Sequence, residues 1–312
     1  MDLSIVVPLY NERDCLAPLY AELTGVTTSL GCSYEILFVD DGSNDGSIDL
    51  LRGLRQRDPH VRVFRLARNS GQTAALSCGI SNTSGDVVVA IDGDGENDPA
   101  DIPKLLKCLD QGYDLVSGWR VERWRDAAFS RRLPSIAANW LISRITGVSL
   151  HDYGCTLKVY RGDLARALRL YGEMHRFVPA IAAEQGARIA EVEVNFRPRR
   201  SGTSKYGPGR SLRTLLDLVT VKFLSGYSTR PIQVFGTIGV VLGALGCLWT
   251  SVLVFEKIVL AHSLADRPAL LLAVLLVVVG VQFVSIGLLG EMLARTYHES
   301  QGKQIYVIKE EL

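Results

Sequence analysis

The sequence predicts an α/β domain with a central, mostly parallel β-sheet, followed by two helices that span a membrane. Two observations carry this prediction. Short runs of β-branched and apolar residues alternate with helical patterns along the N-terminal third of the chain, which is typical of a parallel sheet. Near the C-terminus, two long stretches contain no charged residue at all.

Four of the apolar runs have the length of buried strands, at residues 3–8, 35–40, 61–66 and 86–91. Right-handed crossovers bring the ends of parallel strands to one edge of a sheet, where open α/β sheets bind ligands. The polar residues that we expect to face that edge are Asn11, Asp40, Asp41 and Asp92. No Gly-x-Gly-x-x-Gly pattern follows the first run, which argues against a dinucleotide-binding Rossmann domain.

The two uncharged stretches cover residues 231–255 and 268–290. Each is long enough to cross a hydrocarbon core of roughly 30 Å. Because the connection between them is short, we expect a transmembrane hairpin over residues 231–293, with helices at 231–257 and 268–290. The remaining residues, 294–312, are then a cytoplasmic C-terminal tail.

Composition excludes two classes of function. The chain has 34 Lys and Arg against 33 Asp and Glu, so no overall positive field points to a nucleic-acid partner. Its 6 cysteines show no Cys-x-x-Cys or Cys/His spacing, so neither a zinc site nor a disulfide framework is indicated.

The fourth apolar run ends in three acidic residues at alternate positions, Asp92, Asp94 and Glu96. Carboxylates set this close repel each other unless they share a cation. Oxygen ligands of this kind suit Mg²⁺ or Mn²⁺, which usually bridge to substrate phosphates. Taken alone, Asp-x-Asp also fits a solvated acidic turn after a strand.

Four segments in this order resemble the nucleotide-sugar motifs of inverting family-2 glycosyltransferases of GT-A fold: Val7-Pro8-Leu9-Tyr10-Asn11-Glu12, Val39-Asp40-Asp41-Gly42-Ser43, Asn69-Ser70-Gly71 and Asp92-Gly93-Asp94. Residues 152–161 and Ser204-Lys205-Tyr206 resemble the polyprenyl-phosphate branch, which includes dolichol-phosphate mannose synthases, bactoprenol glucosyltransferases and the aminoarabinose-lipid transferase. The family usually has Gln where this chain has Glu96. The extra anion could tighten metal binding or change which donor diphosphate is preferred.

The resemblance implies a GT-A catalytic domain over residues 1–208 and assigns its donor-binding residues, which are Pro8, Tyr10, Asn11, Glu12, Asp40, Asp41, Gly71, Asp92, Ser204 and Lys205. Asp40 matches the aspartate that accepts an N–H from the nucleobase, although both Asp40 and Asp41 also fit a turn after a strand. Ser204 and Lys205 lie in a glycine-rich loop that could close over the donor diphosphate. Asp94 is expected to serve in catalysis through the metal.

The acceptor is expected to bind at residues 118–147, which mix basic and apolar residues as a helix in the membrane interface does. In the family, an Arg-Arg-x-x-Ser pattern binds the lipid phosphate, and Arg131, Arg132 and Ser135 match it here, with Arg120 nearby. A guanidinium fork suits a phosphate. Simple attraction to anionic headgroups would also explain these arginines.

Asp152 matches the family's candidate general base. A polyprenyl phosphate oxygen is already anionic near pH 7, so it needs little deprotonation. Orienting the acceptor, or balancing the charge of nearby arginines, would suit Asp152 equally. Lys158 is a candidate partner for Asp152 or for a phosphate.

Residues 197–230 lie directly before the first apolar stretch. They contain eight Lys and Arg residues and one acidic residue, Asp217. The positive-inside rule therefore predicts that the catalytic domain lies on the cytoplasmic side of the inner membrane, as part of a multi-pass protein. Residues 209–230 are expected to form an amphipathic juxtamembrane helix. Gly239 and Gly243 offer a small-residue face that could serve the hairpin or a homo-oligomer.

Together, the residues and the resemblance predict an inverting glycosyltransferase. It would move one hexose from a nucleotide-sugar of the GDP-mannose or UDP-glucose type to a polyprenyl phosphate, with Mg²⁺ or Mn²⁺. Two alternatives stay open. One is a glycosyltransferase that acts on a lipid with a neutral hydroxyl, for which Asp152 would have to be a true general base. The other is an inactive membrane scaffold, which would catalyse no reaction.

Overall fold

The structure, a computed structural model, describes residues 2–121, 139, 142–144, 146–170, 174–198, 231–259, 268–300 and 305–312. The predictions for Arg131, Arg132, Ser135, Ser204, Lys205 and the juxtamembrane helix at 209–230 lie outside these residues. The chain divides into two compact units, the first formed by Met1–Val219 with Gln304–Leu312 and the second by Thr220–Lys303.

The first unit is built on one sheet of eight strands, in the order β7-β5-β6-β4-β1-β2-β3-β8. The strands are β1 (Leu3–Leu9), β2 (Tyr34–Asp40), β3 (Val61–Leu66), β4 (Val87–Ala90), β5 (Leu115–Arg120), β6 (Lys158–Arg161), β7 (Ile189–Val194) and β8 (Ile308–Glu311). Its helices are α1 (Arg13–Leu30), α2 (Ser47–Arg57), α3 (Gln72–Ser81), α4 (Ile102–Leu109), α5 (Gly162–Ala167) and α6 (Val178–Glu184), with short 3₁₀ turns at Pro99–Asp101 and Met174–Arg176.

Strands β1 to β4 are parallel to one another, which confirms the four strands and the parallel arrangement that the sequence predicts. Helices cover both faces of this part of the sheet. In β2, Ile36 and Phe38 pack with α1, α2 and α4, whereas Leu37 and Val39 pack with α3. Strands buried on both faces are apolar without alternation, so their continuous apolar runs have a physical cause.

The remaining strands mix the two directions. Strand β6 is antiparallel to both β4 and β5, and β7 is parallel to β5. Residues 118–120, at the start of the segment 118–147 that is expected to include an interfacial helix, form the end of β5. Most of the remainder of that segment lies outside the described residues.

The C-terminal segment, expected to be a simple tail, contains strand β8, which pairs antiparallel with β3. Arg52 holds Glu310 at 2.7 Å and Arg62 holds Glu311 at 3.3 Å. The amide of Leu312 donates to the carbonyl of Val63 at 2.9 Å. Strand β8 has four residues, three of them charged, so its sequence shows no alternation of apolar and polar residues. The strand is recognised only from its pairing with β3, which is distant in the sequence. The chain after the hairpin therefore rejoins the sheet of the first unit.

The second unit consists of α7 (Pro231–Val259) and α8 (Pro268–Ser300). Both are long and apolar enough to cross a membrane, over Phe235–Val259 with a mean hydropathy of 2.2 and Pro268–Gly290 with 2.8. Many of their apolar side chains are exposed, among them Leu271 at 76%. Such an extended exposed apolar surface suits lipid rather than water.

The two helices approach each other at glycines. A Cβ atom added at Gly239 would lie 2.5 Å from the carbonyl oxygen of Gly280, and one added at Gly280 would lie 2.6 Å from the carbonyl oxygen of Gly239. At Gly246, the added atom would lie 2.8 Å from the backbone nitrogen of Val277. Close backbone contact of this kind needs small residues. These three glycines therefore serve the packing of the hairpin itself.

Gly239→Ala is expected to destabilise the hairpin by about 1–3 kcal/mol, because the new methyl group has no room between the two backbones. The matched control is Gly243→Ala on the same helix, since a Cβ there meets nothing within 4 Å. The measurement is the thermal unfolding midpoint of the full chain in detergent. Equal midpoints for the two variants would contradict the packing described here.

Candidate active site

A cleft of about 200 Å³ opens at the carboxyl ends of β1, β2 and β4 and at the start of α3. The predicted residues that line it are Pro8, Tyr10, Glu12, Asp41, Gly71, Asp92 and Asp94. They come from four separate motifs of the sequence. Of the four polar residues expected to face this edge, Asp41 and Asp92 line the cleft, whereas Asn11 and Asp40 are not among its lining residues. Among the further lining residues, Asn69 and Gln72 flank Gly71.

Gly93 allows the acidic loop to pack against the end of β1. A Cβ at this position would lie 2.9 Å from the Cβ of Leu9. The amide of Gly93 also donates to the carbonyl oxygen of Pro8 at 3.2 Å. This close approach fixes the backbone between Asp92 and Asp94 against the edge of the sheet.

Asn11 lies beside the cleft and connects two of the turns around it. It has a positive φ of 54°, which Asn tolerates better than most residues. Its side-chain oxygen accepts from the amide of Asn44 at 2.9 Å, and its own amide donates to Ser43 Oγ at 2.9 Å. Asn11 therefore ties the β1–α1 turn to the β2–α2 turn. Its contact with the bound donor substrate stays a prediction.

The two aspartates at the end of β2 differ in their surroundings. Asp41 lines the cleft, and its carboxylate accepts from the amides of Ser70 at 2.7 Å and Gly71 at 2.8 Å. Burial raises the pKa of Asp41 above its usual value. These contacts hold the loop before α3 in place.

Asp40 is fully buried behind Asp41. Its Oδ1 accepts from the amide of Ser43 at 2.9 Å, and its Oδ2 lies 3.6 Å from Nε of Arg65. Within the described part of the chain, this Oδ2 has no hydrogen-bond donor. The base-binding role of Asp40 stays a prediction, and Asp41 is the member of the pair that faces the cleft.

Asp92 is held from two sides. Its Oδ1 accepts from Nε2 of Gln72 at 2.7 Å, and its Oδ2 accepts from Oγ1 of Thr156 at 2.6 Å. Burial, together with the charge of Asp94, raises the pKa of Asp92 well above its usual range. Neither Gln72 nor Thr156 is among the predicted site residues. The only sequence signal is their position, since each lies in or directly after a recognised motif.

Asp94 also faces the cleft, and its carboxylate accepts from the amide of Glu96 at 3.1 Å. Glu96 is directed elsewhere, with Oε2 at 3.4 Å from Arg120. Across the residues that the structure describes, no group of three His, Cys, Asp or Glu side chains that could hold a metal ion is found, and the role of Glu96 as a metal ligand stays a prediction. Asp92 and Asp94 remain a pair that fits a hard divalent cation, which commonly takes one or two carboxylates and completes its shell with phosphates and water.

Arg120 and Asp152 form a buried ion pair beside this loop. Two contacts join them, Nε to Oδ2 at 2.8 Å and Nη2 to Oδ1 at 3.2 Å. The side chains are only 4% and 9% exposed. The guanidinium of Arg120 is thus engaged by carboxylates inside the protein, and its contact with the lipid phosphate stays a prediction. For Asp152, the geometry favours balancing the charge of an arginine.

Two further residues complete this charged cluster. Lys158 is buried and donates to the carbonyl oxygen of Cys155. Burial lowers the pKa of Lys158. On β7, Glu191 accepts from the amide of Asp152 at 3.0 Å and from the amide of His151 at 2.9 Å. Glu191, which sequence reasoning missed, therefore fixes the backbone that carries Asp152.

Comparison with known proteins places this site in a family. Residues 4–169 match Glycosyl transferase family 2. The chain is 41% identical over 314 residues to the dodecaprenyl-phosphate galacturonate synthase of Rhizobium johnstonii. This alignment covers 99% of the present chain and 93% of that protein. The chain is also 37% identical over 309 residues to the undecaprenyl-phosphate 4-deoxy-4-formamido-L-arabinose transferase of Edwardsiella ictaluri, covering 98% and 93%.

Solved structures agree in fold. Mannosyl-3-phosphoglycerate synthase of Rubrobacter xylanophilus superposes with a TM-score of 0.56 at 20% identity, over 72% of this chain and 74% of that one. Glucosyl-3-phosphoglycerate synthase of Mycobacterium tuberculosis, in complex with Mn²⁺ and UDP-glucose, gives 0.53 at 20% identity, over 72% and 78%. The family match covers more than half of the chain and the two relatives nearly all of it, so the chain belongs to glycosyl transferase family 2 and has a GT-A-like fold.

Proposed function

We propose that this chain transfers one sugar from a nucleotide-sugar to a polyprenyl phosphate, with inversion at the anomeric carbon. The observation that carries the proposal is the cleft in which Asp92 and Asp94 meet the residues of three other motifs. Its support is similarity along nearly the whole chain to two enzymes named for polyprenyl phosphates. The sugars in those names are a hexuronate and a substituted pentose, so the sugar of this chain need not be a neutral hexose.

On this proposal the donor lies along the cleft from Pro8 and Tyr10 to the acidic loop. The nucleoside end lies between the turn at Pro8–Glu12 and the loop at Asn69–Gly71, and the diphosphate lies near Asp92 and Asp94. Mg²⁺ or Mn²⁺, held by the two aspartates, would neutralise the charge that develops on the departing diphosphate. The mutual repulsion of the two carboxylates supports a cation site at this point.

An acceptor phosphate oxygen attacks the anomeric carbon on the side opposite the leaving group. A new carbon–oxygen bond forms while the bond to the diphosphate breaks, and the electron pair leaves with the nucleoside diphosphate. The attacking oxygen is already anionic, so no proton has to be removed. Asp152 is held by two contacts from Arg120, so it can hold the charge of this arginine in a fixed position beside the acceptor.

We also propose a multi-pass arrangement in the inner membrane. Strand β8 belongs to the same sheet as the N-terminal strands, so the chain returns to the side of the membrane that it left. Two apolar helices between these points satisfy that requirement. The eight basic residues over 197–230 then favour the cytoplasmic side for the catalytic unit. Acceptor binding by Arg131, Arg132 and Ser135, closure by Ser204 and Lys205, and homo-oligomer formation stay predictions.

The test is a transfer assay with the purified full chain in detergent. UDP-glucose, GDP-mannose and UDP-galacturonate are offered with undecaprenyl phosphate or with a diacylglycerol, each with and without Mg²⁺ or Mn²⁺. We expect a glycolipid only from undecaprenyl phosphate and only with a divalent cation. Transfer to diacylglycerol alone would favour a neutral hydroxyl acceptor. Failure to bind either UDP or GDP in the presence of Mn²⁺ would favour the inactive scaffold.

A further inference from the structure

We propose that Gln72 and Thr156 are positioning residues that together clamp the carboxylate of Asp92 and couple the donor side of the cleft to the loop that carries Asp152. The inference rests on the proposed function. It concerns two residues whose only described side-chain hydrogen bonds go to Asp92, one to each oxygen.

The two clamping residues come from different parts of the fold. Gln72 is the first residue of α3, directly after Gly71, whose amide Asp41 holds at 2.8 Å. Thr156 lies between Asp152 and β6, in the segment that Glu191 fixes at its other end. A shift of either segment would therefore be transmitted to Asp92.

The bond lengths are those of strong hydrogen bonds. The amide of Gln72 donates over 2.7 Å and the hydroxyl of Thr156 over 2.6 Å, both within the range for a charged acceptor. An ionised carboxylate offers about four acceptor positions, so two remain for a donor molecule or a cation. The clamp thus fixes the orientation of the carboxylate and leaves two of its acceptor positions open.

Such a clamp has a physical purpose beside Asp94. Two neighbouring carboxylates repel, and an unrestrained Asp92 side chain would turn away from Asp94. Neutral donors on both oxygens oppose that rotation, and they do so without adding a positive charge that would compete with a cation. Groups that orient a metal-binding carboxylate commonly affect affinity or activity by about 10- to 100-fold.

The experiment measures the binding of UDP and GDP to the full chain in detergent, with Mn²⁺ and with EDTA. Thr156→Val removes the hydroxyl and keeps the shape. We expect its affinity for the nucleotide that the unmodified chain binds to fall about 10- to 100-fold in Mn²⁺ and to stay unchanged in EDTA. Thr156→Ser should restore binding, and Gln72→Met should show the same loss in Mn²⁺. The matched control is Thr27→Val, which removes a buried hydroxyl from a bond to the carbonyl of Leu23 in α1.

The outcomes are separable. Unchanged binding in Mn²⁺ for Thr156→Val would overturn the clamp while the proposed function stands. An equal loss with and without Mn²⁺, or a loss that Thr156→Ser does not restore, would also overturn it, because the residue would then support the fold rather than Asp92. If the unmodified chain binds neither nucleotide, the proposed function fails and the clamp fails with it.

Discussion

Asp94→Asn is expected to lower the rate of sugar transfer by about 10³-fold, which corresponds to the several kcal/mol that a cation contributes to a charged transition state. The substitution removes a charge but keeps the volume of a side chain that faces the cleft and is 7% exposed. The fold should persist, since Asn can still accept the hydrogen bond from the amide of Glu96. The measurement is kcat in saturating Mg²⁺ or Mn²⁺, together with nucleotide affinity in Mn²⁺ and in EDTA.

The matched control is Asp86→Asn, which makes the same substitution just before the amino end of β4, the strand whose other end carries the acidic loop. Asp86 is exposed and lies far along the strand from the cleft, so its replacement should leave the rate unchanged. If Asp94→Asn turned over at the rate of this control in either cation, Asp94 would not be the residue through which the metal acts.

The sequence was sufficient for the parallel part of the sheet and for the place of the cleft. Buried parallel strands leave continuous apolar runs, and the ends of such strands must meet at one edge. Asp41, Gly71, Asp92 and Asp94 therefore converge for reasons that can be seen before any coordinates are known. The two helices that are long and apolar enough to cross a membrane follow from length and lack of charge alone.

The contacts within the site could not be predicted in the same way. Gln72 and Thr156 lie 20 and 64 residues from Asp92 along the chain, and Glu191 lies 39 residues from Asp152. Side-chain pairs of this kind leave no periodicity. Strand β8 could not be predicted for the same reason. Its pairing with β3 is supported by ion pairs of Arg52 and Arg62 with acidic residues near the C-terminus, far away in the sequence.

Arg120 shows why charge and position in the sequence are a weak guide to the partner of a side chain. Its charge and position suggest a phosphate ligand, yet the fold buries it between Asp152 and Glu96. The sequence gives the residue type, whereas the partner that neutralises its charge depends on which loops the sheet brings together. Glu96, at a position where the family usually has Gln, supplies a second negative charge to the same guanidinium.

Arg120→Met is expected to destabilise the catalytic unit by about 3–5 kcal/mol, because it leaves the carboxylate of Asp152 buried without its partner. Asp152→Asn should be destabilising for the reciprocal reason, although its amide oxygen can keep one contact with Arg120. The double variant Arg120→Met, Asp152→Leu removes both charges, so it should be more stable than Arg120→Met. The measurement is the unfolding midpoint of each purified full-length variant in the same detergent.

The same variants decide between the two roles of Asp152. If Asp152 balances Arg120, the rate of Asp152→Asn falls through misplacement of the acceptor, and the dependence of kcat on pH keeps its acidic limb, since a phosphate acceptor titrates by itself. A general base would instead contribute about 10²–10⁴-fold, and its removal would abolish that limb. A stable Asp152→Asn protein without the acidic limb would therefore show that Asp152 takes a proton. A destabilised protein with an unchanged limb would show that its charge serves Arg120.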